Sequence, residues 1–329
     1  MTFYDKYFIK KELKAYIISL ESPELLFTNL KKQNFNPVLI KAVDANKLTD
    51  KLKSKYANKF FATFGTNKTI AIAMSHMKVW KKIIDSGEPY GIVLEDDVIL
   101  TDDFYDKVMT HLRKLPKGYD LFYLGCFGCQ NNLNPLNIIF HTMGLGNFNF
   151  KKINEYVNRP SVALATHAYV VSRNGAKTLL KELEGKIYFH IDFCIQLLAL
   201  DNKIKVYSAS NRIAYQESTD RPISSKLENS HPILLNKILS NFYIDEKVRL
   251  SYITTVPLFK IDKYTFTVSS LLFIILGFSL GKFNYKFLDV LCFFIILSLP
   301  DYKNIENIKL HYVLFLIGFI IGRKSDLTK

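Results

Sequence analysis

Cysteine is scarce. The chain has four in 329 residues, Cys126, Cys129, Cys194 and Cys292, too few and too scattered for a disulfide framework, which points to a reducing compartment. Cys126 and Cys129 form a CxxC in "LGCFGCQ", but no second CxxC or CxxH pair is there to complete a zinc site. The pair reads as a buried strand end entering a loop. No cleavable leader is expected, because charged residues interrupt every apolar run before Ala15 in "MTFYDKYFIKKELKAYIISLES"; the catalytic part is therefore expected in the cytosol. No internal repeat and no recognised nucleic-acid-binding module is found. The net charge of +14 comes from dispersed lysines, so it suits anionic lipid or a phosphate-bearing ligand, and no nucleic-acid partner is expected.

What is present is alternation. "KAYIISL" (14–20) reads as a buried strand, residues 24–33 as a helix with Leu25, Leu26 and Leu30 at helical spacing, and "PVLIKAV" (37–43) as a second strand. Ile72, His76, Val79, Trp80, Ile83 and Ile84 recur at three and four, an amphipathic helix that Gly87 and Pro89 end. "YGIVL" then forms a strand running straight into Glu95, Asp96 and Asp97. Asp102 or Asp103 is placed to cap a helix carrying Phe104, Val108, Leu112 and Leu115, and "YDLFYLG" is the next strand. From Cys126 to Pro160 the chain is polar and without period. Order returns with "ATHAYVVS", a helix over 174–183, another near Asp192, and "KIKVYSA". This is the signature of an α/β sheet with helices on both faces.

Hydrophobic residues are concentrated at the carboxyl end. Eighteen residues from Tyr264 to Gly281 carry no charge, which just reaches the length of a membrane span. Two shorter runs follow, Leu288–Leu299 and Leu310–Gly322, for which a hairpin or interfacial insertion is as suitable as further passes. The expected organisation is a catalytic domain over 10–225, a linker or helical extension over 226–262, and a membrane-associated hydrophobic tail over 263–324.

The strongest chemical signal is "GIVLEDDVIL". In an open α/β sheet the ligand crevice lies beyond the carboxyl ends of the strands, where Glu95, Asp96 and Asp97 project. Neighbouring carboxylates suit a hard divalent cation, and such a cation neutralises a diphosphate leaving group. A solvated turn or helix cap gives the same bare pattern.

Around this triplet the chain resembles glycosyltransferase family 25, the lipooligosaccharide-type and collagen-type sugar transferases. The likeness covers about residues 14–220 and rests on "AYIISL", "KAVDA", "MSHMKVWKKII", "PYGIVLEDDVIL", "YDLFYLG", "THAYVVSRNGAKTLL", "HIDFCIQLL" and "YQES" in that order. It implies a GT-A-like fold with one Rossmann-like mixed sheet, a UDP-hexose donor (galactose or glucose), and Mn2+ held by Glu95 and Asp97 with Asp96 in support. It also puts Ser75 and His76 beside the donor and Gln216 at the far edge of the site, and implies a glycan or protein acceptor, as in lipopolysaccharide biosynthesis. On the residues alone, His76 suits a satisfied core histidine and Gln216 surface polarity. Asp192 reads either as a helix N-cap or as the base that takes the acceptor proton in an inverting displacement. Thr166 and His167 read as strand residues, and Arg159 and Arg173 as solvated or as offsetting phosphate charge. Two departures bear on the donor: "ESPELLFTNL" replaces the usual Arg-rich segment, and "TIAIAMSH" lacks the Glu and Cys that often precede Ser-His.

Two other classes fit less well. A transferase fold that has lost catalysis would bind carbohydrate or act as a scaffold. A glycoside hydrolase needs two acids on opposite sides of a bond, which adjacent acids on one turn cannot provide.

Overall fold

The computed structural model describes residues 13–130, 134–146, 150–217, 232–246, 248–299 and 305–326. The chain divides into two compact units, Met1–Glu217 and Ser218–Lys329. In the first unit the order is β1 (Leu13–Ser19), α1 (Glu24–Lys32), β2 (Phe35–Lys41), α2 (Asp50–Tyr56), α3 (Lys59–Phe64), α4 (Asn67–Ser86), β3 (Tyr90–Glu95), β4 (Val98–Leu100), α5 (Phe104–Lys114) and β5 (Leu121–Phe127). Then follow α6 (Pro135–Thr142), β6 (Lys151–Lys152), β7 (Val157–Arg159), β8 (Leu164–Ser172), α7 (Arg173–Leu183), α8 (Ile191–Leu200), β9 (Val206–Ala209) and β10 (Ala214–Gln216).

Eight strands form one mixed sheet in the order β2–β1–β3–β8–β5–β9–β7–β6. β1 is parallel to β2 and β3, and β5 to β9, while β8 enters antiparallel between β3 and β5. Because side chains alternate across a strand, the sheet feeds two cores. One buries Val79, Trp80 and Ile83 of α4 with Leu179 and Leu183 of α7; the other buries Leu30 of α1 with Phe104, Val108 and Leu112 of α5. The expected α/β sheet with helices on both faces is thus the observed architecture.

Local chemistry explains the element ends. Thr66 accepts from the amide of Thr69 to start α4, and Gly87 closes it at φ 73°, the left-handed position glycine adopts freely. Asp103 precedes α5 without capping it: its backbone lies outside the extended cap geometry, and its carboxylate pairs with Lys107 at 2.9 Å. The polar stretch after Cys126 is not one structureless loop. It contains α6, capped by Asn134, and the buried Asn137 donates to the carbonyl of Gly128 at 2.8 Å and accepts from Ser161 at 2.8 Å. Asn134 and Asn137 are used in internal hydrogen bonds, and such polar positions leave no apolar period. Cys126 and Cys129 are joined by a disulfide at the end of β5, a local clip that the sequence reading did not include.

The second unit holds α9 (Ile233–Leu239), β11 (Tyr243–Asp245), β12 (Val248–Arg249), α10 (Leu250–Thr254), β13 (Pro257–Ile261), β14 (Tyr264–Thr267), α11 (Val268–Lys282), α12 (Phe287–Ser298) and α13 (Ile305–Asp326). Here the expectation of a span-length tail is corrected. The first four residues of the uncharged run form β14, paired with β13, and the helix starts only at Val268. Its 15 residues reach about 22 Å, short of the roughly 30 Å hydrocarbon core. Among the described residues, no helix is long and apolar enough to cross a membrane.

The close seat of α7 on the sheet rests on Gly175, where a Cβ would lie 2.2 Å from the backbone oxygen of Asp120. Backbone cannot swing aside as a side chain can. Gly175→Ala is expected to destabilise the protein by about 1–3 kcal/mol, read as a lower urea midpoint at unchanged slope.

Candidate active site

The parallel strands β1, β3, β5 and β9 all end at one rim of the sheet, and antiparallel β8 starts from it. Ser19, Glu95, Phe127, Leu164 and Ala209 therefore meet there. Glu95 closes β3, and the turn after it sends the three acids in three directions. Glu95 Oε1 accepts from the hydroxyl of Thr166 at 2.8 Å and lies 3.3 Å from His76 Nε2. Asp96 Oδ2 accepts from Ser19 at 2.6 Å. Asp97 Oδ2 accepts from Gln216 Nε2 at 3.1 Å, while the Asp97 carbonyl accepts from the Glu217 amide. β10 pairs with β4 and puts Gln216 opposite Val98, so the expected far-edge residue does reach the acids.

His76 is a core histidine and a site residue at once. It is buried, with Nδ1 3.0 Å from the Tyr169 hydroxyl, which also accepts from Trp80 Nε1 at 2.9 Å. One consistent assignment runs from Trp80 N–H to Tyr169, from the Tyr169 hydroxyl to His76 Nδ1, and from His76 Nε2–H to Glu95. Burial drives the Glu95 carboxyl upward, but the hydrogen bonds from His76 and Thr166, with the electrostatic influence of the two neighbouring imidazoles, outweigh it and hold Glu95 below the ordinary range. Ser75, one residue earlier, has another task. It donates to the Ala71 carbonyl and accepts from the Val43 amide, fastening α4 to the chain after β2.

Asp192 lies in the first turn of α8, whose cap position is His190. It is not the N-cap. Its Oδ2 accepts from the Ala165 amide at 3.0 Å and its Oδ1 from the Phe193 amide at 2.8 Å. Ala165 stands at φ 71°, a left-handed backbone that costs an alanine about 1 kcal/mol or more. The next residue is Thr166, the donor to Glu95. Asp192 is thereby linked to the acid triplet through one strained residue. His167 is buried against Phe127, and burial pushes its imidazole down to about 4, the charge of Glu95 opposing.

The two arginines considered for phosphate lie elsewhere. Arg173 follows Ser172, which pairs with Tyr90 at the start of β3, and Arg159 donates to Asn202; both are at the opposite end of the sheet from the acids. Arg212 is the basic residue that sequence reasoning missed. Its Nε donates to Gln130 at 3.0 Å and its guanidinium lies 5.9 Å from the Phe127 ring centre, next to His167 in charge terms. Its place four residues before Gln216 in "NRIAYQES" was the available signal. Among the described residues no three His, Cys, Asp or Glu side chains stand together as a metal-binding group.

Comparison with known proteins decides the family. The model of glycosyltransferase family 25, described as LPS biosynthesis protein, matches residues 12–195, more than half of the chain. The chain belongs to glycosyltransferase family 25. Among similar proteins are the "Procollagen lysyl hydroxylase and glycosyltransferase" of Acanthamoeba polyphaga mimivirus, 28% identical over 168 residues, and a "Glycosyltransferase 25 family member" of Aedes aegypti, 25% identical over 181 residues. These matches take in 47% and 51% of this chain but 17% and 28% of the relatives, so the matched region spans less than a third of the length of either. In this family 25 chain the matched region includes His76, the acid triplet, Thr166 and Asp192, whereas Arg212 and Gln216 lie beyond it and join the site by geometry alone.

His167 gives the rim a pH dependence. Its folded value near 4 is below the unfolded value of about 6.5, so the unfolded chain takes up the proton first. The stabilisation is fully present above about pH 6.5 and is lost as pH falls towards 4, up to about 3 kcal/mol. Glu95, also depressed, acts in the same direction, losing its contribution as pH falls through its folded value. Urea unfolding of His167→Gln is expected to show a shallower loss between pH 6.5 and 4 than the parent protein.

Proposed function

We propose that this family 25 chain transfers a hexose, galactose or glucose, from a UDP-sugar to a hydroxyl of a glycan or protein acceptor, inverting the anomeric centre in one displacement on a GT-A-like fold. The acceptor oxygen forms its bond to the anomeric carbon as the bond to the diphosphate breaks, and the acceptor proton passes to a carboxylate. The observation that carries the reading is the acid triplet at the carboxyl rim of the sheet, inside the family match. Both acceptor classes have a counterpart among the similar proteins: the family is described by LPS biosynthesis, and the mimivirus relative is a procollagen lysyl hydroxylase and glycosyltransferase.

The donor set suits a divalent cation such as Mn2+. Glu95 and Asp97, with Asp96 in support, offer hard oxygen ligands at the end of β3, and cations of this kind are commonly held by one or two carboxylates plus substrate phosphates, without an all-protein cage. A cation bound there supplies positive charge against the departing diphosphate. The protein's own groups do the rest. Ser19 and Gln216 hold Asp96 and Asp97 in their separate directions, and His76 with Thr166 keeps Glu95 ionised for the metal or the ribose. Asp192 serves as the base; each of its oxygens accepts one amide and keeps a second lone pair.

The assignment is tested in two variants. Asp97→Asn is expected to fold normally, to lose metal-dependent UDP affinity in calorimetric titration, and to lose roughly two or more orders of magnitude in transfer. Asp192→Asn is expected to bind UDP with manganese as the parent does and to fail in transfer. Asp192→Ala removes the acceptor of both the Ala165 and the Phe193 amides and loses about 1–3 kcal/mol of stability. Metal-dependent UDP binding at parental strength in Asp97→Asn overturns the metal site; near-normal transfer by Asp192→Asn removes the base. A screen of UDP-galactose, UDP-glucose and their N-acetyl forms with and without manganese identifies the donor, and binding without turnover indicates a carbohydrate-binding copy of the fold.

A further inference from the structure

The second unit contains a helix pair built inside out for water. α11 carries "GFSLG" at Gly277 and Gly281, and α13 carries "GFIIG" at Gly318 and Gly322. A Cβ on Gly277 would lie 2.1 Å from the Phe315 oxygen, on Gly281 2.2 Å from that of Phe319, on Gly318 2.2 Å from that of Ile274, and on Gly322 2.1 Å from that of Phe278. The partner numbers rise together, so α11 and α13 run parallel with their backbones in contact. Ser269 and His311 add a buried hydrogen bond of 3.1 Å between them.

In water a helix pair turns its large aliphatic side chains inward and its small or polar residues outward. Here the glycines face inward, while Leu271, Ile275 and Leu276 of α11 and Ile317, Ile320 and Ile321 of α13 are exposed, Ile275 by 59% and Ile320 by 53%. Small residues at the contact and hydrogen bonds as glue are how helices associate where the solvent is itself apolar. The exposure continues onto α12, where Leu288, Ile295 and Ile296 are also bare. Phe273, Phe315 and Phe319 are covered within the unit by Leu234, Leu235 and Val290.

The ends carry the complementary signal. Lys282, Arg323 and Lys324 gather where both helices finish, exposed, with Lys286 just beyond, and Lys260 and Lys263 flank the β13–β14 turn that leads into α11. Basic residues bordering an apolar slab about 20 Å long match anionic headgroups around acyl chains. We propose that the α11–α13 pair is a monotopic membrane anchor, its bare aliphatic flank seated in one leaflet of an anionic bilayer and its basic ends at the phosphates. The length argument agrees with this: α11 is too short to span, and the stretch of α13 free of Asp, Glu, Lys and Arg, residues 310–322, is shorter still, yet both are long enough to lie in a leaflet.

The test is flotation of the full chain with vesicles. Vesicles of phosphatidylglycerol and phosphatidylcholine are expected to carry the protein upward, and phosphatidylcholine alone to carry less, with 0.5 M salt (on the order of the range where screening is short) reducing the difference. Ile275→Glu with Ile320→Glu, both at exposed positions and remote in sequence from the acids, is expected to lower partition at least ~10-fold and leave transfer to a soluble acceptor unchanged. Lys282→Glu with Arg323→Glu and Lys324→Glu is expected to abolish the preference for anionic vesicles. A parent protein that stays at the bottom with both vesicle types overturns the proposal without needing any variant to fold. So does a parent dimer in detergent-free buffer that the isoleucine variant makes monomeric, because the flank is then a contact between copies.

Discussion

A carboxylate at the mouth of a buried strand is tolerated only when donors meet it, and Glu95 is met from two directions at once. His76 comes from the middle of α4 and Thr166 from the start of β8. Tyr169, on the same strand as Thr166, ties the two elements together: its hydroxyl accepts a hydrogen bond from Trp80 Nε1–H and meets His76 Nδ1. That arrangement needs β8 directly beside β3, and therefore needs the antiparallel strand in the centre of the sheet. Burial raises the Tyr169 hydroxyl well above its ordinary range, so it stays protonated and able to donate. The core of one face and the rim that carries the acids are in this way a single hydrogen-bonded system, and loosening either loosens both.

The first unit was legible in the sequence wherever one local period decided the matter. The strand entering Glu95, the helix bearing His76 and Trp80, and the strand at 165–172 stand as read, because an uncharged run or a repeat of three and four is a property of neighbours in sequence. What joined them was not legible. A buried strand reads the same whether it runs parallel or antiparallel, so the place of β8 between β3 and β5 had no local signature. Ala165 is an alanine in a backbone region that glycine would have announced. The span between Cys126 and Pro160 concealed α6 because Asn134, Asn137 and Ser161 make it with hydrogen bonds that leave no hydrophobic period.

The carboxyl-terminal unit failed differently. Its apolar run was visible, but an uncharged tetrapeptide at its start pairs as a strand, and hydropathy does not separate strand from helix over so few residues. The spacing of Gly277 with Gly281 and of Gly318 with Gly322 was in plain sight as the same five-residue motif written twice. Spacing alone names a surface for close approach and leaves its partner open; the parallel register between the two copies is a fact of three dimensions.

Parallelism has a topological cost that antiparallel hairpins avoid. Two helices that start at the same end cannot be joined by a tight turn, since the chain must travel back the full length of the first before it begins the second. α12 lies in that return stroke. Shortening it to a hairpin loop would reverse α13 against α11, and the two glycine motifs, though each still intact, would then meet in opposite directions. The segment between them thus acts as a ruler that sets the polarity of the pair, and its length matters independently of what its side chains touch.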